Sequence, residues 1–485
     1  MKKYNRSLGK NALLSSIKTF AAIVYPLITY PYITRVLEVE DIGRINFSRS
    51  VTNYFVLLGA FGISTFAIRN GSRVREDSKK LEDFSSDIFT INCITSLISF
   101  LLLVAVTFIP ALSYYKEFII ILGIEILMVP IGVEWLFSIV EDFSYITARS
   151  IIIQILSLIA LFVFVHDTND ALIYAFITVL AKTLSNVFNW IYSKKYVQIH
   201  LKRRFNWEVY KKSLFTFFVN SIASTIYLNS DVTMLGLYCS DYVVGIYGVA
   251  TRVYLLVKQV FNATVAALIP RLSYYSRDSL SEFDELLNKI NSLFLLFIIP
   301  TTAGLIVFRT QIILIISGSK YLKAESSMAI LAMALFFATL GNIYANGVLI
   351  SKGKEKDVLR GTVISSLVNV SLNLVLLKSF EENGAALTTL ISEIIMFSFC
   401  YYKSLKLTKS RIQLKQIKDP LVGTILMIAG YYLAQRLLRF GLWMNFIIEF
   451  IVCVLTYYSY LILIKNTYCL EITSKIVRRL RTRGV

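Results

Sequence analysis

The chain is poor in the residues that build soluble sites. It has only two histidines, His166 and His200, and neither has a partner at metal-ligand spacing, which excludes a histidine-based metal centre. Five cysteines (Cys93, Cys239, Cys400, Cys453 and Cys469) are scattered within or beside apolar runs, and no CxxC occurs. They read as small apolar residues, neither a disulfide framework nor a zinc site. Charge is scarce as well, at 17% of residues, where a soluble chain carries roughly a quarter. That scarcity, over 485 residues, excludes a string of ordinary soluble domains. Long polar connections are also missing. The longest lie around 69–83, 193–212, 271–289 and 403–419, each too short to fold independently.

Apolar residues are abundant, at 56% of the chain, with aromatics at 14%. They come in blocks of about 20, the length a helix needs to cross ~30 Å of hydrocarbon. Lipid cannot satisfy backbone groups, so such blocks must be helices or strands of a closed barrel. The blocks do not alternate apolar with polar residues, which rules out barrel strands. They run approximately 12–34, 45–68, 84–109, 118–140, 145–165, 170–192, 213–237, 243–268, 290–308, 328–350, 358–377, 384–402, 420–438 and 443–464. The expectation is an all-α integral membrane protein with about fourteen transmembrane helices. The start, MKKYNRSLGKN, has the charge of a signal-peptide n-region. The apolar run after it is long, lacks a cleavage site and holds Pro26 and Pro31, so it reads as a retained first helix.

Cationic residues cluster on one side of this arrangement. They occupy the N-terminus (Lys2, Lys3, Arg6, Lys10), the second loop (Arg69, Arg73, Arg75, Lys79, Lys80) and the sixth (Lys194, Lys195, Lys202, Arg203, Arg204, Lys211, Lys212). The twelfth loop (Lys403, Lys406, Lys409, Arg411, Lys415, Lys418) and the C-terminus (Lys465, Lys475, Arg478, Arg479, Arg481, Arg483) complete the set. The positive-inside rule then places both termini in the cytoplasm. Basic loops against anionic lipid also account for the net charge of +19 without a nucleic-acid partner.

A shift of 202 residues aligns Lys10 with Lys212, Tyr25 with Tyr227, Gly43 with Gly245, Val51 with Val253 and Arg69 with Arg271. The same shift superimposes the first two spans on the seventh and eighth. Six spans separate the copies, an even number, so both enter the membrane in the same direction. The expected organisation is two parallel six-helix lobes, 1–192 and 213–402, joined by a cytoplasmic linker at 193–212. Residues 403–485 supply two further helices and a basic tail.

The duplicated spans carry polar stripes at helical spacing. The first presents Asn11, Ser15, Lys18, Tyr25 and Thr29; the second presents Asn46, Arg49 and Asn53. The seventh presents Asn220, Ser224, Tyr227 and Asp231; the eighth presents Thr251, Lys258 and Asn262, with Arg252 adjacent. Such stripes also serve as helix–helix glue, and a cation near a helix end can snorkel outward. Charges deeper in a span tend to face a cavity or a partner. Lys18, Arg49, Arg252 and Lys258 would make a cavity between the lobes positive, with Arg49 and Arg252 on opposite walls. Asn46, Asn53, Asn220, Tyr25 and Tyr227 would line it. Lys182, with Ser185, Asn186 and Asn189, is a lone stripe on the sixth span. Glu125, Glu134 and Glu393 are acids expected to pair with these cations. A positive cavity suits an anion, and a diphosphate is the obvious one.

Four segments carry a family resemblance. YPYITRVLEVEDIGRINFSRSVTNYFVLLGAFGISTFAIRNGSR (30–73) and VEWLFSIVEDFSYITARS (133–150) resemble polysaccharide flippases of the Wzx type, within the multidrug/oligosaccharidyl-lipid/polysaccharide exporter superfamily. NSDVTMLGLYCSDYVVGIYGVATRV (229–253) and NVSLNLVLLKSFEENGAALTTLISE (369–393) resemble the same family, the last being the most specific. The resemblance implies a V-shaped, alternating-access transporter in the bacterial plasma membrane. It would move undecaprenyl-diphosphate-linked oligosaccharide repeat units, such as those of O-antigen or capsule, from the cytoplasmic to the outer leaflet. Such a transporter would not be an enzyme and would need no cofactor, although protons or sodium could drive it through Asp231 or Glu134. Its partners would be the lipid-linked oligosaccharide, membrane lipid, and a polymerase or other glycan-assembly proteins. Related lipid II flippases hold the lipid diphosphate with arginines on three helices, whose counterparts here are Lys18, Arg49 and Arg252. The alternatives are a cation-coupled multidrug exporter, which calls for twelve helices and an acidic cavity, and a membrane polymerase or ligase, which calls for a large outer catalytic loop.

Overall fold

The computed structural model describes residues 8–437, 440–471 and 473–474, except for the side chains of residues 8–12, 220 and 277–278. The terminal cations at 2–6 and 475–483 and the side chains of Lys10, Asn11 and Asn220 therefore lie outside the described residues. Among the described residues every regular element is helical: α1 (Leu8–Val36), α2 (Val39–Ala60), α3 (Ile63–Gly71), α4 (Ser78–Val106), α5 (Pro110–Ser113), α6 (Lys116–Met128), α7 (Glu134–Ile139), α8 (Phe143–Phe164), α9 (Ala171–Ser193), α10 (Trp207–Tyr238), α11 (Asp241–Asp278), α12 (Leu280–Val307), α13 (Arg309–Ile316), α14 (Glu325–Asn342), α15 (Glu355–Ser404), α16 (Leu414–Leu437) and α17 (Leu442–Leu463).

Ten of the described helical stretches are long and apolar enough to cross a membrane, and eleven if one bent pair counts as a single span. The chain is a multi-pass membrane protein. The expected spans at 213–237 and 420–438 fall on α10 and α16, which are not among the ten. Those at 358–377 and 384–402 share α15, one continuous run broken only at Glu381, whose φ of 45° and ψ of −124° are not helical. The expected straight span at 118–140 is instead the bent pair. Helix α6 stops at Met128, Pro130 opens a short 3-10 turn, and Val133 takes a left-handed φ of 29°. The two limbs lie 52° apart. Proline lacks the N–H and clashes with the preceding turn, which is why the helix breaks there.

Contact density divides the chain into two compact units, 1–248 with 377–381, and 249–376 with 382–485. The division follows packing, so α10, the expected opening of the second lobe, is grouped with unit 1 because it lies along α2.

Unit 1 turns apolar side chains outward and shelters its polar ones beside buried apolar clusters, where they have partners within the protein. Helix α4 shows this directly. Ile94, Leu97, Ile98, Leu101 and Leu102 are exposed along one stripe, while Ser86, Asp87, Thr90, Asn92, Ser96 and Ser99 are buried on the other. The buried side has a task. Helix α2 ends where Phe61 (φ 43°) and Gly62 (φ 68°) turn left-handed, leaving carbonyls without a helical partner. Asn92 donates to the Gly59 carbonyl at 2.8 Å and Thr95 to the same oxygen at 2.7 Å, while Ser99 donates to the Phe55 carbonyl, one turn earlier within the helix, at 2.5 Å. Only glycine fits at position 62: besides its φ, a Cβ there would lie 2.7 Å from the backbone nitrogen of Phe218 on α10.

The duplication appears in unit 1 as a reciprocal contact. A Cβ on Gly43 of α2 would strike the backbone carbonyl of Asp241, and a Cβ on Gly245 of α11 would strike the carbonyl of Val39. Gly43 and Gly245 are equivalent under the 202-residue shift, and so are Val39 and Asp241. Residue i touching j while the copy of j touches the copy of i is the signature of a two-fold relation. Around this crossing Asp241 accepts from Tyr115 at 2.7 Å and faces Arg44 at 3.5 Å.

Unit 2 packs around Phe283, Leu287, Phe294, Tyr344 and Leu349. Its α14 continues into a π-helical stretch, Ile343–Ile350, an uncommon winding that often accompanies functional sites. A second apolar cluster joins Phe308 to Met427, Tyr431 and Cys453 of α16 and α17.

Candidate functional site

Two ionic trios lie inside the apolar helices of unit 1. In the first, Arg49 of α2 and Lys182 of α9 share Glu125 of α6. Arg49 donates to one carboxylate oxygen, and Lys182 to the other at 2.8 Å. Arg49 also donates to Thr178 at 2.7 Å. In the second, Lys18 of α1 and Arg149 of α8 share Glu134, the first residue of α7. Lys18 lies 2.5 Å from one oxygen and Arg149 3.2 Å from the other. Arg149 is further held by Asn189 of α9, which itself donates to the Gly132 carbonyl at 2.5 Å. That carbonyl lies in the break between α6 and α7, so the bend in the span and the ionic trio are fastened together.

Each carboxylate oxygen thus receives one cation, and each trio keeps one uncompensated positive charge. Burial grades across the members. Glu125 and Arg149 are buried, Arg49 is 23% exposed, Lys18 is 37% exposed and Lys182 is 60% exposed. In each trio, therefore, a lysine is the accessible cation and an arginine the sheltered one. The guanidinium has several donors in a fixed fork and can satisfy a carboxylate and a neutral acceptor together. Both arginines do so, one toward Thr178 and the other toward Asn189.

The expected pairing of Glu125 and Glu134 with cations is present, and so is that of Glu393. In unit 2, Lys258 of α11 lies 2.6 Å from Glu393 of α15, and Tyr254 donates to the same oxygen at 2.8 Å. This pair is buried, with 15% and 5% exposure. The same unit carries an amide chain from Asn346 through Asn342 to Asn262, the last step 2.6 Å long, and a buried cluster of Asn369, Asn373 and Thr388.

The remaining expected residues are placed as follows. Asn53 donates to Asn229 of α10 at 2.9 Å, Tyr25 bonds Ser157 of α8 at 2.8 Å, and Asp231 accepts from Tyr247 at 3.1 Å. Asn46 sits against Gly248, where a Cβ would meet its amide. Tyr227 and Arg252 are partly buried on α10 and α11. Lys182, read from its own stripe as a lone cation, is instead joined to Arg49 through Glu125. Arg149 was not singled out. Its signal was available, since it sits about two turns into an apolar helix where a charge is costly and calls for a partner.

The fold and these clusters define an all-helical membrane protein with fixed charge inside its spans. Residues 8–276, more than half the chain, match the family model described as polysaccharide biosynthesis protein, and the chain belongs to that family. A protein of Escherichia coli (strain K12) named for O-antigen transport is 24% identical over 81% of this chain and 95% of its own length. The capsular polysaccharide biosynthesis protein CapF of Staphylococcus aureus is 23% identical, over 83% of this chain and 98% of its own. Among solved structures, the lipid II flippase MurJ in an inward closed conformation superimposes with a TM-score of 0.77 at 19% identity. That match covers 94% of this chain and 99% of MurJ, and it shows a shared fold.

Proposed function

We propose that the protein is a flippase for lipid-linked oligosaccharides, moving undecaprenyl-diphosphate-linked repeat units from the cytoplasmic to the outer leaflet of the bacterial plasma membrane by alternating access. The observation that carries this reading is the surplus positive charge in unit 1: four cations against two carboxylates, set within apolar helices. A diphosphate stripped of water costs several kcal/mol or more unless it meets charge-assisted partners, and lysine and arginine supply them. Unit 2 adds an apolar cavity of about 600 Å³, lined among others by Leu296, Phe297, Phe308, Phe446, Phe450 and Tyr457. Its surface has the chemistry of a prenyl chain. The names of the relatives, O-antigen transport and capsular polysaccharide biosynthesis, favour the same cargo.

A multidrug exporter of cationic compounds fits poorly with surplus positive charge among the helices of unit 1. For ion coupling, the candidates are Asp231 and Glu134, acids within the helices of unit 1. Asp231→Asn is expected to slow export and leave substrate binding in place. Purified protein in liposomes should carry a fluorescent polyprenyl-diphosphate-linked oligosaccharide between leaflets; movement no faster than in empty liposomes refutes the reading. Orientation is tested by reporter fusions. Those after Arg204 and Lys418 should report cytoplasm and one after Thr168 the outside, and a signal from outside at residue 204 refutes the topology and the parallel-repeat argument with it.

A further inference from the structure

The two glutamates of the trios have no part in holding an anion, yet each sits where an anion would sit, between two cations on separate helices. We propose that Glu125 and Glu134 are resident counter-ions of the transport site, and that Lys182 joins Lys18 as a cation passed from carboxylate to substrate diphosphate. The inference rests on the diphosphate reading above and adds to it a binding residue, Lys182, and a positioning residue, Arg149.

The argument starts from charge. Four unpaired cations inside apolar helices would be costly between transport events, and four fully paired cations would attract nothing. Two carboxylates shared among four cations leave two positive charges, which matches the roughly two negative charges of a diphosphate joining a lipid to a sugar. The exposure gradient then says which cations move. Lys182 and Lys18 are the exposed members, each on a flexible four-carbon stem; Arg49 and Arg149 are sheltered and tied to Thr178 and Asn189. When the lysines turn to phosphate oxygens, each carboxylate keeps one arginine and remains neutralised. When the headgroup must leave, the carboxylates take the lysines back. Release needs no new charge, only the return of two ammonium groups to their carboxylates.

Arg149 acts through Glu134. It occupies one carboxylate oxygen and so limits how tightly the other holds Lys18. Its Nε, buried and without a hydrogen-bond partner, marks a guanidinium placed for the carboxylate and not for its own full satisfaction.

The test uses purified full-length protein in detergent, titrated with farnesyl diphosphate, which keeps the anionic group on a short prenyl chain. Wild type should bind. Glu134→Gln keeps the shape and drops the charge, and should bind about tenfold more tightly while export of glycan in cells falls, because the headgroup is no longer displaced. Lys182→Gln should bind about tenfold more weakly, with Lys182→Arg restoring most of the loss. Arg149→Gln should weaken binding by leaving Lys18 wholly to Glu134, and adding Glu134→Gln should reverse that loss, a rescue that a merely structural arginine does not give. If Glu134→Gln melts at a lower temperature than wild type, Glu125→Gln carries the same test on the other trio. Equal or weaker binding by a glutamine variant of normal melting temperature overturns the counter-ion role. Unchanged binding by Lys182→Gln overturns its assignment. A wild type that binds no farnesyl diphosphate, together with normal export by Arg49→Ala, is instead the failure of the diphosphate reading itself.

Discussion

The two units handle charge inside the membrane differently. Unit 1 shares each of Glu125 and Glu134 between two cations, whereas in unit 2 the buried Glu393 takes one cation, Lys258, and one hydroxyl, Tyr254, beside clusters of asparagine. The duplicated helices sharpen the contrast. Their backbones still meet reciprocally at Gly43 and Gly245, but the residue equivalent to Lys18 is Asn220 and that equivalent to Arg49 is Thr251. The packing is common to both copies, while their cations stand at different positions: Arg252 and Lys258 of the second copy are equivalent to Ser50 and Val56 of the first. A contact made of backbone and glycine tolerates almost no substitution, while a charged stripe is free to differ between copies. Unit 2 then offers the apolar cavity that unit 1's ionic interior would not.

This comparison can be broken by mutation. The largest effect on folding is expected in unit 2. Lys258→Ala leaves Glu393, 5% exposed, with Tyr254 alone, and should cost about 3–5 kcal/mol and lower the protein's level in membranes. Lys18→Ala leaves Glu134 with Arg149 and should melt near wild type; equal losses for the two variants would erase the distinction between a pair and a trio. Next comes the glycine crossing. Gly43→Ala and Gly245→Ala each push a methyl into a backbone carbonyl and should each cost about 1–3 kcal/mol, by similar amounts. A large effect at one and none at the other would contradict the two-fold relation.

The smallest effect is at the linker. Lys202 bonds Asp83 at 2.5 Å and the buried Asp87 at 2.8 Å, and so ties the stretch before α10 to α4. Burial alone pulls its ammonium pKa down, but the two carboxylates outweigh burial and raise it above the ordinary 10.5. A raised lysine stabilises the fold fully below its unfolded value, and the contribution is lost as pH climbs through the folded one. The melting temperature of Lys202→Met should therefore lie furthest below that of wild type at pH values under the ordinary 10.5, and the gap should close as pH climbs through the raised value; a gap that stays constant at strongly alkaline pH would contradict the assignment.

Much of the fold was legible because lipid imposes a simple code. Long apolar runs gave the helices, and one shift of the sequence gave the duplication that reappears at Gly43 and Gly245. The bend in 118–140 was less so, since Pro130 is tolerated in many spans and only its combination with Val133 produces the break. The site was legible as residue types and not as partners. Lys18 and Arg49 stood out as charges in apolar helices, but Glu134 lies 116 positions from Lys18 and Glu125 lies 76 from Arg49. No local spacing reports such pairing; it follows from how four helices pack. Lys182 looked solitary for the same reason, and Arg149 passed unnoticed beside the apolar run that follows it.

The central claim is that the surplus charge of unit 1 carries the substrate's headgroup, and export of glycan by Arg49→Ala tests it most directly. In cells whose own flippase is removed, wild-type protein should restore surface glycan. Arg49→Ala, inserted and accumulated to the same level, should restore none, and Arg49→Lys should restore part because it keeps the charge beside Glu125 and loses the fork that also holds Thr178. Wild-type export by Arg49→Ala at normal protein level would contradict the account and leave the trios as packing.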